Sequence, residues 1–226
     1  SEDDIRMAID AICQEFLLRE KLQRWMAQYD LTSIPRRRVA IIMAGNIPLV
    51  GFFDLMCVLM CGHAAYVKPS HKDSVLINYI ISEIKSIAPD IPIYDYAPAE
   101  QVDMVIATGG EEANRYFESH FAGTKRLLRG SRHSVAVLDG SESIEELEGL
   151  YEDITAYSGL GCRSVSMIFA PEGHNIALPH TTAQNPKLRR NIASMRALYT
   201  MQGRTFGDYG AFLTIEGTSF ATSLAN

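Results

Sequence analysis

Between residues 3 and 29, apolar side chains recur at spacings near three and four. Ile5, Ala8, Ile9, Ile12, Phe16, Leu17, Leu22 and Trp25 alternate with charged residues. That period marks one face of a helix, so the leader reads as an amphipathic helix or helix pair packed on something larger. Pro35-Arg36-Arg37-Arg38 ends it, and the pattern then changes. Val39 to Met43 is a continuous apolar run of strand length, suited to a sheet covered on both faces. A turn over Ala44 to Pro48 and a helix from about Leu49 to Cys61 follow. Further strands are expected at Ala64 to Lys68, Ile91 to Tyr96, Met104 to Ala107, Lys125 to Leu128 and Ser134 to Leu138. Helices are expected at about 73–87, where Ser70 or Asp73 can cap, and at 111–120. Alternating strands and helices with two-sided apolar strands predict an α/β fold, a parallel sheet with helices on both faces.

From Ser141 the pattern is different. Ile144, Leu147, Leu150, Tyr151 and Ile154 line one side of a helix over Ser141 to Tyr157, with Ser141 or Ser143 as cap and acidic residues in its first turn. A strand from Val165 to Ala170, a turn at Pro171-Glu172-Gly173 and an aperiodic loop over 174–186 come next. Pro186 to Gln202 reads as a helix and Ala211 to Ile215 as a last strand, before a Ser/Thr/Ala-rich end. The change of pattern suggests a division near 140: residues 1–140 as leader plus cofactor-binding half, and 141–226 as the half that carries Cys162. No internal repeat, low-complexity tract or long linker is visible.

Composition narrows the function classes. The 226 residues are 47% hydrophobic and 21% charged, ordinary for a globular protein. A net charge of −6 argues against a general nucleic-acid binder. No apolar run reaches the ~20 residues of a membrane span. The longest, Ile47 to Cys61, is interrupted by Pro48, Gly51 and Asp54, and no signal peptide is visible. The cysteines at 13, 57, 61 and 162 are sparse and unpatterned, as in a reducing cytosol, so a cytoplasmic location is expected. Cys57, Cys61 and His63 raise the question of a metal, but such a site needs about four ligands and no second cluster supplies them. Helix core is the preferred reading there, and no metal is expected. Three arginines at 36–38 fit either an acidic partner or, preferably, a solvated turn before a strand. The chain opens on Ser1-Glu2-Asp3-Asp4 without Met, as a fragment or trimmed chain would.

Ser158-Gly159-Leu160-Gly161-Cys162-Arg163-Ser164 is the stretch richest in chemistry. Cys162 lies between glycines and an arginine, just before an apolar run. Glycines allow a bend that exposes the sulfur, and a nearby cation favours the nucleophilic thiolate. A buried structural cysteine is the alternative. In doubly wound sheets ligands collect at the carboxyl ends of strands, and three loops meet that description: Ala44 to Pro48, Lys68 to His71, and Thr108 to Gly110. The last is a glycine-rich turn opening a helix, where backbone N–H groups favour phosphate, although it lacks the full G-x-G-x-x-G spacing and Glu111 and Glu112 follow at once. Lys68 can reach a ribose or phosphate, or is simply an exposed strand-end lysine. Asn46 can donate its amide to an oxyanion, or serves its turn.

Five blocks occur in order: Met43-Ala-Gly-Asn-Ile-Pro-Leu-Val-Gly-Phe52, Val67-Lys-Pro-Ser70, Val105-Ile-Ala-Thr-Gly109, Ser134-Val-Ala-Val-Leu138 and Gly159-Leu-Gly-Cys-Arg163. Together they resemble the LuxC-type acyl-CoA reductases, a branch of the aldehyde dehydrogenase superfamily, from the leader to about Gly217. The resemblance implies an aldehyde-dehydrogenase-like fold, a Rossmann-like parallel-sheet domain plus a second, partial α/β catalytic domain. Members are longer, so a C-terminal truncation is expected. By the resemblance, Cys162 takes the acyl group as a thioester, and Asn46, with the Cys162 backbone N–H, holds the oxyanion. Lys68 matches the lysine on the adenine ribose. Ser70 belongs to the same cofactor-binding turn, and His71 falls where NAD-preferring relatives often carry glutamate. A neutral or cationic side chain there tolerates a 2′-phosphate, which leans toward NADPH, with NADH open. Thr108, Gly109 and Gly110 match the pyrophosphate turn, with Gly110 replacing the usual serine. Leu128 stands where hydrolytic relatives have the glutamate that activates water, so a thioester would survive for exchange with a thiol such as coenzyme A. The implied activity is reduction of an acyl-CoA or fatty acyl thioester to the aldehyde. Acyl-phosphate reduction and non-catalytic nucleotide binding on the same fold are the alternatives, and a homo-oligomer is open.

Overall fold

The apolar run after Arg37 becomes β1 (Arg38–Ile42), the central strand of a five-stranded parallel sheet. The computed structural model describes residues 2–31, 34–171, 176–215 and 219–221. β1 pairs on one side with β2 (Ala64–Lys68) and on the other with β4 (Met104–Thr108). β3 (Ile93–Asp95) lies outside β2 and β5 (Lys125–Arg129) outside β4, giving the order β3-β2-β1-β4-β5. Side chains alternate across a strand. Val39 and Ile41 therefore enter one core with Leu55, Val67 and Ile77, while Ala40 and Ile42 enter another with Val105, Ala107 and Phe121. Helices α3 (Phe52–Met60) and α4 (Ser74–Ile87) cover the first face, and Phe117 of α5 (Glu111–His120) packs on the second. The leader forms α1 (Glu2–Glu15) and α2 (Arg19–Met26), whose Ile12, Phe16 and Leu22 reach the first core. Each large side chain buried this way contributes about 1.5–3 kcal/mol.

The register brings the strand ends level. Ile42 is opposite Lys68 on one side and Ala107 on the other. The chain segments leaving β1, β2 and β4 therefore emerge along one edge of the sheet. Helix α3 begins at Phe52 and not at Leu49, because Leu49 takes φ +57°, outside right-handed helix. Just before β1, Arg36 Nε donates to Gly62 O at 3.3 Å, and at the first residue of β1 the Arg38 backbone N–H donates to Asp103 Oδ2 at 2.7 Å.

The chain divides into two units, residues 1–131 and 132–226. The division near 140 read from the sequence thus falls earlier, because β6 (Ser134–Val137) pairs in parallel with β7 (Val165–Phe169) of the second unit. Between them runs α6 (Ile144–Thr155), started by a capping box. Glu146 N–H donates to Ser143 Oγ at 3.2 Å, and Ser143 N–H donates to Glu146 Oε2 at 2.8 Å. Helix α7 (Pro186–Met201) is capped by Asn185, whose Oδ1 accepts from Lys187 N–H at 2.9 Å and Leu188 N–H at 3.3 Å. β8 (Gly207–Asp208), β9 (Leu213–Ile215) and β10 (Ser219–Ala221) form an antiparallel sheet in the order β10-β9-β8, of which only β9 carries an apolar pattern. Ile154, Ile192, Phe212 and Leu213 are the most buried members of this unit's core. The expected turn at 171–173, the start of the loop after it and the chain's Ser/Thr/Ala-rich end fall wholly or partly outside the described residues. No helix among the described residues is long and apolar enough to cross a membrane.

Candidate active site

Seven of the eight residues singled out in the sequence lie along the carboxyl edge of the five-stranded sheet, all in the first unit. Asn46 is exposed on the loop after β1. Lys68 ends β2, with Ser70 half-buried and His71 exposed in the turn that follows. These two segments are pressed together. Met43 N–H donates to Lys68 O at 3.0 Å. A Cβ at Gly45 would lie 2.5 Å from Ser70 Oγ and 2.6 Å from Ser70 Cβ, so only glycine lets the backbone come this close. Leu49 N–H donates to Asp73 Oδ2 at 2.8 Å in a buried setting. Asp73 stands at the N-cap position of α4, yet its side chain caps nothing there. Burial pushes its carboxyl above the ordinary value, and the Leu49 N–H opposes that.

The third loop opens α5. Thr108 ends β4, and Gly109 N–H donates to Arg129 O at 3.0 Å. A Cβ at Gly109 would meet Ala113 Cβ at 2.7 Å, so this glycine allows α5 to start hard against the strand end. Gly110 is exposed at the N-cap position with no side-chain cap, and the nearest atom to a Cβ there would be Ser131 Oγ at 4.0 Å. The first-turn N–H groups of α5 are therefore left without a side-chain cap, as an anion-accepting helix start would be. Glu111 is turned along the helix, 3.6 Å from Arg115, which moderates its charge at that helix start.

The first unit also holds a part-buried ion pair that periodicity does not reveal. Asp54, in the first turn of α3, accepts from Arg129 Nη2 at 2.8 Å. Burial raises the Asp54 carboxyl, while the Arg129 charge and hydrogen bond pull it back. The sequence signal was the single acid inside the apolar run 47–61. Cys57 is half-buried one turn later, its thiol pushed up to about 11 by burial first and then by Asp54 and Cys61. Such a thiol stays protonated at neutral pH. Among the described residues, no three His, Cys, Asp or Glu side chains gather where they could hold a metal. Leu128 is half-buried against the second core.

Cys162 belongs to the second unit and is exposed. After α6 the chain passes through Tyr157, Ser158 and Gly159 at φ +52°, +59° and +70°, three left-handed residues in a row that reverse its course. Leu160 N–H donates to Tyr157 O at 3.2 Å, and Ser164 N–H to Gly161 O at 3.0 Å, closing two turns around the cysteine. Ser134 Oγ donates to Cys162 O at 3.3 Å, tying the turn to the start of β6.

Comparison with known proteins agrees with this architecture. The family model described as acyl-CoA reductase (LuxC) matches residues 6–185. Among curated proteins, a long-chain acyl-protein thioester reductase 2 from Photobacterium leiognathi is 22% identical over 180 residues, covering 71% of this chain and 38% of its own length. A long-chain acyl-protein thioester reductase from Vibrio harveyi is 25% identical over 165 residues, covering 64% of this chain and 35% of its own length. The chain thus spans little more than a third of these relatives. Among solved structures, an aldehyde dehydrogenase from Bacillus cereus superposes with a TM-score of 0.67 at 16% identity, over 90% of this chain and 52% of that one. An aldehyde dehydrogenase from Mycobacterium tuberculosis, solved with NAD+, gives 0.57 at 16% identity, over 75% and 42%. The α/β fold is that of the aldehyde dehydrogenases, and the chain belongs to the acyl-CoA reductase (LuxC) family.

Proposed function

We propose that the protein reduces a fatty acyl thioester to its aldehyde with NADPH, through a thioester on Cys162. The observation that carries this reading is the family match, which spans both the loop of Asn46 and the exposed Cys162 turn. The Cys162 thiolate attacks the acyl carbonyl, the carbon–sulfur bond to the donor breaks, and the donor leaves as a thiolate that takes a proton from solvent. Coenzyme A and a protein-bound thiol are both candidate donors, the latter suggested by the relatives' names. The Asn46 amide donates to the carbonyl oxygen as negative charge develops there. A reduced nicotinamide, when bound, would supply one hydride to the acyl carbon. The carbonyl then re-forms, the bond to Cys162 breaks, and the aldehyde leaves as the thiolate is regenerated. Lys68, Ser70 and His71 would hold the adenine-side ribose, and Thr108, Gly109 and Gly110 the diphosphate at the start of α5. His71, with no acid in its place, admits a 2′-phosphate. Leu128 offers no base to activate water, so the thioester is kept for reduction or for return to a thiol.

The test is acyl-enzyme trapping. Radiolabelled long-chain acyl-CoA should label the protein, and Cys162→Ala should carry no label while retaining NADPH binding. Label retained on Cys162→Ala would overturn the assignment. A panel of acyl donors of different chain lengths, each with NADH and NADPH, then reads substrate class and cofactor preference.

A further inference from the structure

Asp73 is a capping residue in the right place that does not cap. Aspartate is among the best N-cap residues because its carboxylate accepts from the first helical N–H groups. Here it stands at the N-cap position of α4, is 5% exposed, and sends Oδ2 to the N–H of Leu49, 24 positions earlier. Forgoing the cap destabilises the start of α4, and burying a carboxylate costs more unless it is well bonded. What this bond holds is unusual too. Leu49 is at φ +57°, a conformation that leucine rarely adopts and that persists only where surroundings over-determine it. Leu49 is also 4% exposed, its side chain locked in the first core. Three residues before it in the chain stands Asn46, and Gly45 is pressed against Ser70 in the same turn that supplies Asp73. The loop is therefore fastened at both ends to the segment after β2: by close backbone approach at Gly45 and by a charge-assisted hydrogen bond at Leu49.

We propose that Asp73 is a positioning residue for acyl transfer, holding the strained 45–49 loop so that the Asn46 amide is aimed before substrate arrives. This rests on the reading of Asn46 as an oxyanion donor. Pre-aimed donors cost no reorganisation during the reaction, and misplacement by about 1 Å can cost on the order of a hundredfold in rate. The same carboxylate joins the loop of Asn46 to the Lys68–His71 turn, so acyl activation and ribose binding share one anchor.

The experiment compares Asn46→Ala, Asp73→Ala, Asp73→Asn and the double variant Asn46→Ala/Asp73→Ala in the full-length protein. The rate constant for acylation is read from the burst of coenzyme A released from long-chain acyl-CoA without cofactor, and burst amplitude counts active sites. Asp73→Ala should slow acylation by about tenfold or more with the acyl-CoA KM changed less than about twofold. Asp73→Asn keeps an acceptor for the Leu49 N–H and should recover most of the rate. The double variant should be no slower than Asn46→Ala, because Asp73 acts through that amide. A purely structural role would lower the amplitude and leave the rate constant unchanged, which would overturn the proposal. So would Asp73→Asn being as slow as Asp73→Ala, or additive losses in the double variant. If Asn46→Ala acylates normally, the oxyanion assignment falls. If Asn46→Ala is slow and Asp73→Ala is not, the positioning role alone falls.

Discussion

The loop that carries Asn46 is fastened to a distant part of the chain through a buried carboxylate, whereas the turn that carries Cys162 is closed largely by its own backbone hydrogen bonds. In the first case one left-handed leucine is fastened to a buried carboxylate on another element. In the second, three consecutive left-handed residues are followed by short-range backbone hydrogen bonds, with one longer-range tie from Ser134 Oγ to Cys162 O, and the cysteine sits at the surface. Both devices present a polar side chain at a defined point. They differ in what maintains them. A loop fixed by non-local contacts is as rigid as the core behind it, while a locally closed turn depends mainly on its own backbone preferences. Under the proposed function, the first would serve a group aimed in advance and the second a nucleophile reached by a large acyl donor.

The largest effects should come from the cores that support each feature. Leu55→Ala in the first unit should cost about 2–5 kcal/mol and Phe212→Ala in the second about 3–5 kcal/mol, measured by denaturant unfolding. Both side chains are almost wholly buried. Amide-exchange protection should fall chiefly in the unit that carries each substitution. Loss spread evenly along the chain would break the comparison.

Smaller, and more direct, is the contrast between two glycines. Gly45→Ala forces a Cβ onto Ser70 and should cost about 1–3 kcal/mol. Gly161→Ala meets Ser164 Oγ at 3.2 Å, an atom that can rotate away, and should cost less than about 1 kcal/mol. Equal melting shifts for the two would mean that the Cys162 turn is as tightly fastened as the Asn46 loop. Ser143→Ala, which removes the capping box of α6, should cost about 1 kcal/mol and fray the first turn of that helix, read by exchange at Glu145 and Glu146.

The subtlest contrast is in acid, and its sign differs between the units. Burial raises the carboxyls of Asp54 and Asp73, so these groups bind protons in the folded state that the unfolded chain has already released. Their contribution is fully present below the ordinary aspartate range and diminishes as pH rises through the raised values. Asp208 in the second unit is lowered, chiefly by its hydrogen bond from Arg196 Nε at 2.7 Å. Its contribution is present above the ordinary range and is lost as pH falls through the lowered value. Asp73→Asn and Asp208→Asn should therefore change the pH dependence of stability in opposite directions, measured by urea unfolding from about pH 3 to about pH 6. Changes of the same sign would refute the assignment.

Much of the fold is legible in the amino-acid pattern. The runs at 39–43, 64–68 and 104–107 lie within a residue or so of β1, β2 and β4, because strands buried on both faces must be continuously apolar. The helix at 111–120 matches α5, and Ser143, one of two candidate caps, is the one used. The loops at the strand ends follow from parallel topology alone. Other features were not legible, and each involves partners far apart in sequence. β6 joins the second unit through pairing with β7, beyond the whole of α6. Asp54 meets Arg129 across 75 positions. β8 is two residues without apolar pattern and exists only by pairing with β9.

By itself, then, the sequence determined where strands and helices form, which face of each is apolar, and which polar residues stand at strand ends. Those properties follow from local periodicity and from the chemistry of single side chains. Only the tertiary structure decided that Asp73 forgoes its helix to hold Leu49, that Gly45 is needed against Ser70, and that Arg129 neutralises a buried acid. The reason is physical: a charged or strained group takes whichever partner burial leaves within reach, and that choice is made only when distant segments pack.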